Sequence, residues 1–282
     1  MVELNYYRKV EYAHYGQIIL TMDLFVPKAD HGAPVIVWLH QGGMGHRKFY
    51  VFGPPILEML GYGYAVAQVT YRVTSDPCDD RTLVQFPAQL QDVKTAVRFL
   101  RANAEIYGLD PQRIGIAGDS AGGQLSALAA LTSGLPQFEA GPFLGYSSDV
   151  KCACDFYGPT DYLSMSRHAM LSPVRNPDFD YDAPDSYEGL VCGGPIQENK
   201  EKARAASPIS YVDKDAPKHI PLLIFHGDHD PNVPYLQSVT LYESMNEAGY
   251  DVEFHTMPGQ GHSLDWFEDV KAAFIEFFEK HL

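Results

Sequence analysis

The stretch Arg113-Ile-Gly-Ile-Ala-Gly-Asp-Ser120-Ala-Gly-Gly123 decides the fold. Its first five residues read as a short strand, and a Leu- and Ala-rich helix is expected from about residue 121 to 132. Between them lies G-x-S-x-G. A serine on so sharp a turn brings the residues two before and two after it into close approach, which Gly118 and Gly122 tolerate because they have no Cβ. The same turn sets Ser120 at a helix N-terminus, where the dipole favours developing negative charge.

Outward from this turn, the chain alternates strand-like and helix-like segments. Strand signals fall at residues 5–11, 18–25, 35–39, 64–69, 113–117, 150–156, 222–225 and 252–256. Residues 35–39, Val-Ile-Val-Trp-Leu, are apolar throughout, as for a strand covered on both faces. Phe86, Leu90, Val93, Val97 and Leu100 make a helical stripe. A second helix covers residues 239–248 and is closed by Gly249; a third carries Leu264, Phe267, Val270, Phe274 and Phe278. The alternation predicts an α/β fold: a mostly parallel eight-stranded sheet with an antiparallel N-terminal edge and helices on both faces. Residues 160–220, rich in Pro, Asp, Ser and Tyr, break the pattern. They are expected to form a short cap or lid excursion from a single domain spanning 1–282.

Two further loops follow predicted strands. His40-Gln41-Gly42-Gly43 can approach a substrate closely, and the backbone N–H groups of Gly42, Gly43 and Ala121 are the candidate oxyanion donors. His40 is read as a structural residue holding that loop. After residues 222–225 comes His226-Gly-Asp-His-Asp230-Pro-Asn-Val-Pro234, and after 252–256 comes Pro258-Gly-Gln-Gly-His262. A serine hydroxyl needs an imidazole base, and the imidazole needs a carboxylate to fix its tautomer. Ser120, Asp230 and His262 supply these in the order Ser, acid, His. Asp228 competes for the acid role, but Asp230 lies farther beyond the strand end. His226, Asp228, His229 and Asp230 could also be read as a metal cluster, though their spacing matches no standard zinc arrangement. No metal and no cofactor are expected.

Composition bounds the partners. The 282 residues carry 21 Lys and Arg against 36 Asp and Glu, a net charge of −15. Such a balance argues against nucleic acid and against an anionic membrane surface. It also makes a polyanionic carbohydrate a poor substrate unless Arg167, Arg175 or Arg204 stands at the mouth of the site. No run approaches eighteen apolar residues, and the N-terminal residues lack a signal-peptide layout. The expected compartment is the cytoplasm, or outside the cell where a signal peptide has been removed. Cys78, Cys152, Cys154 and Cys192 form no CxxC motif; Cys152 and Cys154, two apart, should share one strand face as free thiols.

These segments resemble the α/β-hydrolase superfamily, and more narrowly the esterases of the hormone-sensitive-lipase type and their bacterial acetyl- and feruloyl-esterase-like relatives. The matching pieces are residues 40–43, Tyr71-Arg72, 86–93, 118–123, 157–161, 226–234 and 259–262, with 193–195 and 206–208 added. The oxyanion motif reads HQGG where the family usually has HGGG. A large N-terminal helical cap has no counterpart before Val35, which favours the acetyl- and feruloyl-esterase-like relatives. The resemblance implies a serine carboxylesterase acting on short-chain or aryl esters through an acyl-enzyme, with plant cell-wall polysaccharide as one source of substrate. Met44, His46, Phe49 and Phe52 are the candidate pocket residues. The alternatives are a serine amidase or peptidase of the prolyl-oligopeptidase type and a non-catalytic binding protein of the same fold. The expected partner is a small-molecule or carbohydrate ester; oligomeric state is left open.

Overall fold

The computed structural model describes residues 3–28, 31–47, 53–77 and 84–282. Eight strands form one sheet: β1 (Leu4–Tyr15), β2 (Ile18–Pro27), β3 (Ala33–Leu39), β4 (Ala65–Val69), β5 (Leu109–Asp119), β6 (Ala153–Phe156), β7 (Leu222–Gly227) and β8 (Val252–Met257). Their order is β1-β2-β4-β3-β5-β6-β7-β8. The pairings β1–β2 and β2–β4 are antiparallel and all others are parallel. This is the α/β-hydrolase arrangement with an antiparallel edge. Among the described residues the helices are α1 (Pro54–Gly61), α2 (Ala88–Ala102), α3 (Ala104–Tyr107), α4 (Ala121–Leu131), α5 (Met165–Leu171), α6 (Tyr187–Cys192), α7 (Lys200–Ala205), α8 (Leu236–Glu247) and α9 (Phe267–His281), with short 3-10 turns between some of them. None is long and apolar enough to cross a membrane.

Strand β3 explains the two-sided core. Val35, Val37 and Leu39 belong to one cluster with Leu90, Val93 and Val97 of α2 and Leu125 and Leu128 of α4, which extends to Leu241 of α8. Ile36 and Trp38 point the other way, into a second cluster with Ile56 and Met59 of α1 and Phe267, Phe274 and Phe278 of α9. Each large apolar side chain buried here contributes about 1.5–3 kcal/mol. Cys152 and Cys154 both join the second cluster as buried free thiols. Cys78 lies outside the described residues.

Two features depart from the sequence pattern. Helix α1 was not anticipated; it spans only eight residues, with Pro54 and Pro55 fixing its first turn. Helix α2 buries its polar side as well as its apolar stripe. Lys94 and Arg98 are fully buried because residues 133–150 fold over them. Lys94 Nζ donates to Thr132 O at 3.1 Å and Glu139 Oε1 at 3.2 Å, while Arg98 pairs with Glu139 and donates to Pro142 O at 3.1 Å. At the start of the same helix Arg72 grips Asp92 through Nε and Nη2, giving a physical role to the Tyr71-Arg72 and 86–93 motifs.

Strand register gathers the chemistry at one edge. Leu39 pairs with Gly118, and Asp119 with Phe156, so β3, β5 and β6 end side by side. Strands β7 and β8 end in register beyond them at Gly227 and Met257. Loops leaving the carboxyl ends of neighbouring parallel strands therefore meet in one crevice, the usual ligand position in such sheets.

Candidate active site

Ser120 occupies φ 56°, ψ −118°, a strained conformation for a residue with a Cβ, costing on the order of 1–3 kcal/mol. The surrounding packing fixes it there. Ser120 N–H donates to Phe156 O at 2.8 Å, and α4 begins at the next residue. A Cβ on Gly122 would lie 2.2 Å from Leu39 O, which explains the glycine two residues after the serine. Ala121 stands in the first turn of α4, where backbone N–H groups have no intrahelical carbonyl.

The loop after β3 turns tightly through Gly42 (φ 119°) and Gly43 (φ 59°), with Gly45 N–H and His46 N–H both donating to Gly42 O, at 2.9 and 3.1 Å. His40 supports it from below. Its ring stacks on Tyr71 at 4.1 Å, its Nδ1–H donates to Gln41 O at 2.7 Å, and Tyr71 Oη donates to His40 O at 2.7 Å. Burial lowers the His40 pKa to about 4, so the ring is neutral near pH 7.

His262 Nε2 lies 2.9 Å from Ser120 Oγ, and His262 Nδ1 lies 2.6 Å from Asp230 Oδ2. A carboxylate only accepts, so Nδ1 carries the hydrogen and Nε2 faces the serine as acceptor. Asp230 is buried, 1% exposed. Its Oδ1 accepts from the backbone N–H groups of Asn232 and Val233 at 2.8 and 2.9 Å. Burial alone would raise its pKa, but the His262 charge and hydrogen bonds from His226 and His262 outweigh it, holding the carboxyl well below the usual carboxylate range. Asp228 points elsewhere. It pairs with His229 at 2.6 Å and accepts from Gly259 N–H at 2.6 Å, tying together the loops after β7 and β8.

His226 is the residue whose part sequence reasoning missed. Its Nε2–H lies 3.2 Å from Asp230 Oδ2 and 3.1 Å from Val233 O, and its Nδ1 accepts from Ser238 Oγ at 2.7 Å. The signal was the histidine at the end of the strand carrying the acid loop. The four residues of the possible metal cluster thus divide, His226 and Asp230 turning inward and Asp228 and His229 pairing at the surface.

Ser120 and His262 open into a cavity of about 670 Å³, lined also by Gly42, Gly43, Ala121 and His46. Met44 does not line it. At φ 56° on the tight turn, its side chain enters the core and is fully buried, which corrects its assignment to the pocket. Phe49 and Phe52 lie outside the described residues. The far wall comes from the 160–220 segment: Tyr162, Phe179, Tyr181, Tyr187 and Glu188, with Asp178, Asp180 and Asp185 at the mouth. Tyr181 Oη donates to Asn232 O at 2.9 Å, anchoring this segment to the acid loop. None of Arg167, Arg175 and Arg204 lines the cavity, and no Lys or Arg does so among the described residues.

A hydroxyl, imidazole and carboxylate in series, beside a glycine turn and a helix N-terminus, can attack a carbonyl and hold the resulting oxyanion. With the sheet order, this geometry defines the class: an α/β-hydrolase with a serine-centred site. More narrowly, the chain belongs to the BD-FAE family, whose model matches residues 22–245. Esterase LipC of Mycobacterium tuberculosis is 31% identical over 243 residues, covering 86% of this chain and 55% of that protein. The chain spans about half the length of the curated relatives it matches. Among solved structures, a truncated carbohydrate esterase from gut microbiota superposes with a TM-score of 0.79 at 28% identity, covering 98% of this chain and 96% of its own. A bifunctional GH43-CE protein of Bacteroides eggerthii gives a TM-score of 0.80 at 29% identity, covering 98% of this chain and 38% of its own.

Proposed function

We propose that this chain is a serine carboxylesterase that cleaves short-chain or aryl esters through an acyl-enzyme on Ser120. The observation carrying this reading is the hydrogen-bonded series Ser120–His262–Asp230 at the wall of an open cavity. Ser120 Oγ attacks the ester carbonyl while His262 Nε2 takes its proton. Asp230 holds the imidazole in the required tautomer and stabilises its cation. The N–H groups of Gly42, Gly43 and Ala121 receive the oxyanion, and His262 returns the proton to the leaving alcohol. Water, deprotonated by His262, then releases the acid. We read the natural substrates as acetyl or feruloyl esters of carbohydrate, a reading supported by the likeness to the carbohydrate esterase from gut microbiota at 28% identity. The 160–220 segment acts as a short cap on a single domain, supplying one wall of the cavity.

The test combines labelling with rates. A fluorophosphonate should modify Ser120 in the folded protein, and Ser120→Ala should lose both the label and about 10⁴-fold or more of kcat on p-nitrophenyl acetate. Residual activity within tenfold of wild type rejects the assignment. A series of p-nitrophenyl esters from acetyl upward, with methyl ferulate beside it, fixes the acyl group.

A further inference from the structure

Glu188 stands on the wall of the cavity that holds Ser120 and His262, yet the mechanism above does not use it. It is 8% exposed. Among the described residues no side chain donates a hydrogen bond to its carboxyl group; the donor beside it is its own backbone N–H. Tyr162 and Tyr181 are close enough for their ionisation to respond to its charge, but both hydroxyls are committed elsewhere. Tyr162 Oη donates to Gln124 Oε1 at 3.1 Å and Tyr181 Oη to Asn232 O. A buried carboxyl short of donors is costly to the fold, and such groups recur where a ligand completes the hydrogen bonding.

The surroundings indicate what that ligand offers. The rings of Tyr162, Phe179, Tyr181 and Tyr187 share this wall, presenting apolar faces. Burial pushes the Glu188 carboxyl up to about 7, so protonated and ionised forms coexist near neutral pH. The first donates and accepts, the second only accepts. A hydroxyl can pair fully with both, whereas an ammonium group only donates and leaves the O–H of the protonated form without an acceptor.

We infer that Glu188 is a specificity-determining residue that binds a hydroxyl on the alcohol half of the ester, directing the site to uncharged, polyhydroxylated alcohols such as sugar rings. This rests on the esterase reading above. The test compares monoacetylated methyl β-xyloside with cyclohexyl acetate, a ring of similar size without hydroxyls. Glu188→Leu should lower the ratio of their kcat/KM values, sugar over cyclohexyl, by about tenfold or more, mainly through KM. Glu188→Gln keeps a donor and an acceptor and should retain most of that ratio. The groups facing Glu188 are Asp182, Tyr162, Tyr181 and Cys192, of which the two phenols and the thiol are pushed up, Cys192 to about 12. A hydroxyl donates a stronger hydrogen bond to the ionised carboxyl than it makes with the protonated one, so the wild-type ratio should rise between pH 6 and 8, while that of Glu188→Gln stays flat; this arm carries the test if the leucine variant does not fold. An unmoved ratio, or a pH-dependent one in Glu188→Gln, overturns the inference. So does selective loss on 4-aminocyclohexyl acetate, which would assign Glu188 to a cation. A wild type inactive on both neutral esters refutes the esterase reading itself, whereas activity on both with an unmoved ratio refutes only the role of Glu188.

Discussion

Asp230 receives four donors: two backbone N–H groups on one oxygen, and His262 and His226 on the other. Asn in its place either turns its amide donor on the imidazole or, flipped, sets that donor against the backbone N–H groups of Asn232 and Val233. The first arrangement removes the acceptor that keeps hydrogen on His262 Nδ1, and the second opposes donor to donor. Asp230→Asn should therefore lower kcat on p-nitrophenyl acetate by about 10³- to 10⁴-fold at pH 7.5. A loss under tenfold would place the imidazole's orientation in other hands. Asp155 carries a different prediction. Its Oδ1 accepts from Gly158 N–H at 2.8 Å, its Oδ2 has no hydrogen-bond partner among the described residues, and burial pushes its pKa up to about 7. In the unfolded chain an aspartate titrates near 3.9, so unfolding releases its proton through the interval from about pH 4 to 7. This group thus lowers stability as pH rises across that window, with the full cost present above it. Asp155→Asn should flatten the fall of Tm between pH 5 and 7.5, as read by calorimetry. An unchanged slope would show that the carboxyl is ionised in the fold throughout.

The turn between β5 and α4 works only because β3 passes immediately beside it. A Cβ at position 122 would meet Leu39 O at 2.2 Å and Leu39 C at 2.7 Å, both backbone atoms of a central strand. Gly122→Ala should destabilise the protein by about 3 kcal/mol or more in urea titration, since neither element can withdraw. A change below about 1 kcal/mol would mean that the strand and helix can separate. This turn was legible in the sequence because its constraints are local: strand, glycine, serine, glycine and helix adjoin in the chain. The loops carrying Asp230 and His262 were legible for the same reason, each following a segment that reads as a strand. Met44 was misread because its direction depends on a left-handed turn. The burial of Lys94 and Arg98 could not be read from helical periodicity, since residues 133–150 supply the cover from elsewhere in the chain. Residues Asp178 to Glu188, which wall the cavity, lack periodicity altogether and gave no sign of which side chains face inward.

At the scale of the whole molecule, the excess of acidic groups and the cavity act in the same direction. The net charge is −15, and the mouth adds Asp178, Asp180 and Asp185 with no Lys or Arg among the described lining residues. A cleft lined by one sign of charge concentrates the field, which repels a like-charged substrate before it reaches Ser120. An anionic ester should therefore suffer in kcat/KM relative to a neutral ester of similar size. The comparison is p-nitrophenyl hemisuccinate against p-nitrophenyl butyrate, whose leaving groups are identical. At an ionic strength of about 10 mM the Debye length is about 30 Å, long enough for the whole charge distribution to act. There the anionic ester should be slower by about tenfold or more. At about 1 M salt the Debye length shrinks to about 3 Å, leaving only groups in contact, and the gap should close severalfold. The neutral ester serves as the control for direct effects of salt on the chemical step. A gap that persists unchanged at high salt would point to a short-range clash with the succinyl carboxylate, and a gap absent at low salt would mean that the charge of the molecule does not reach the site.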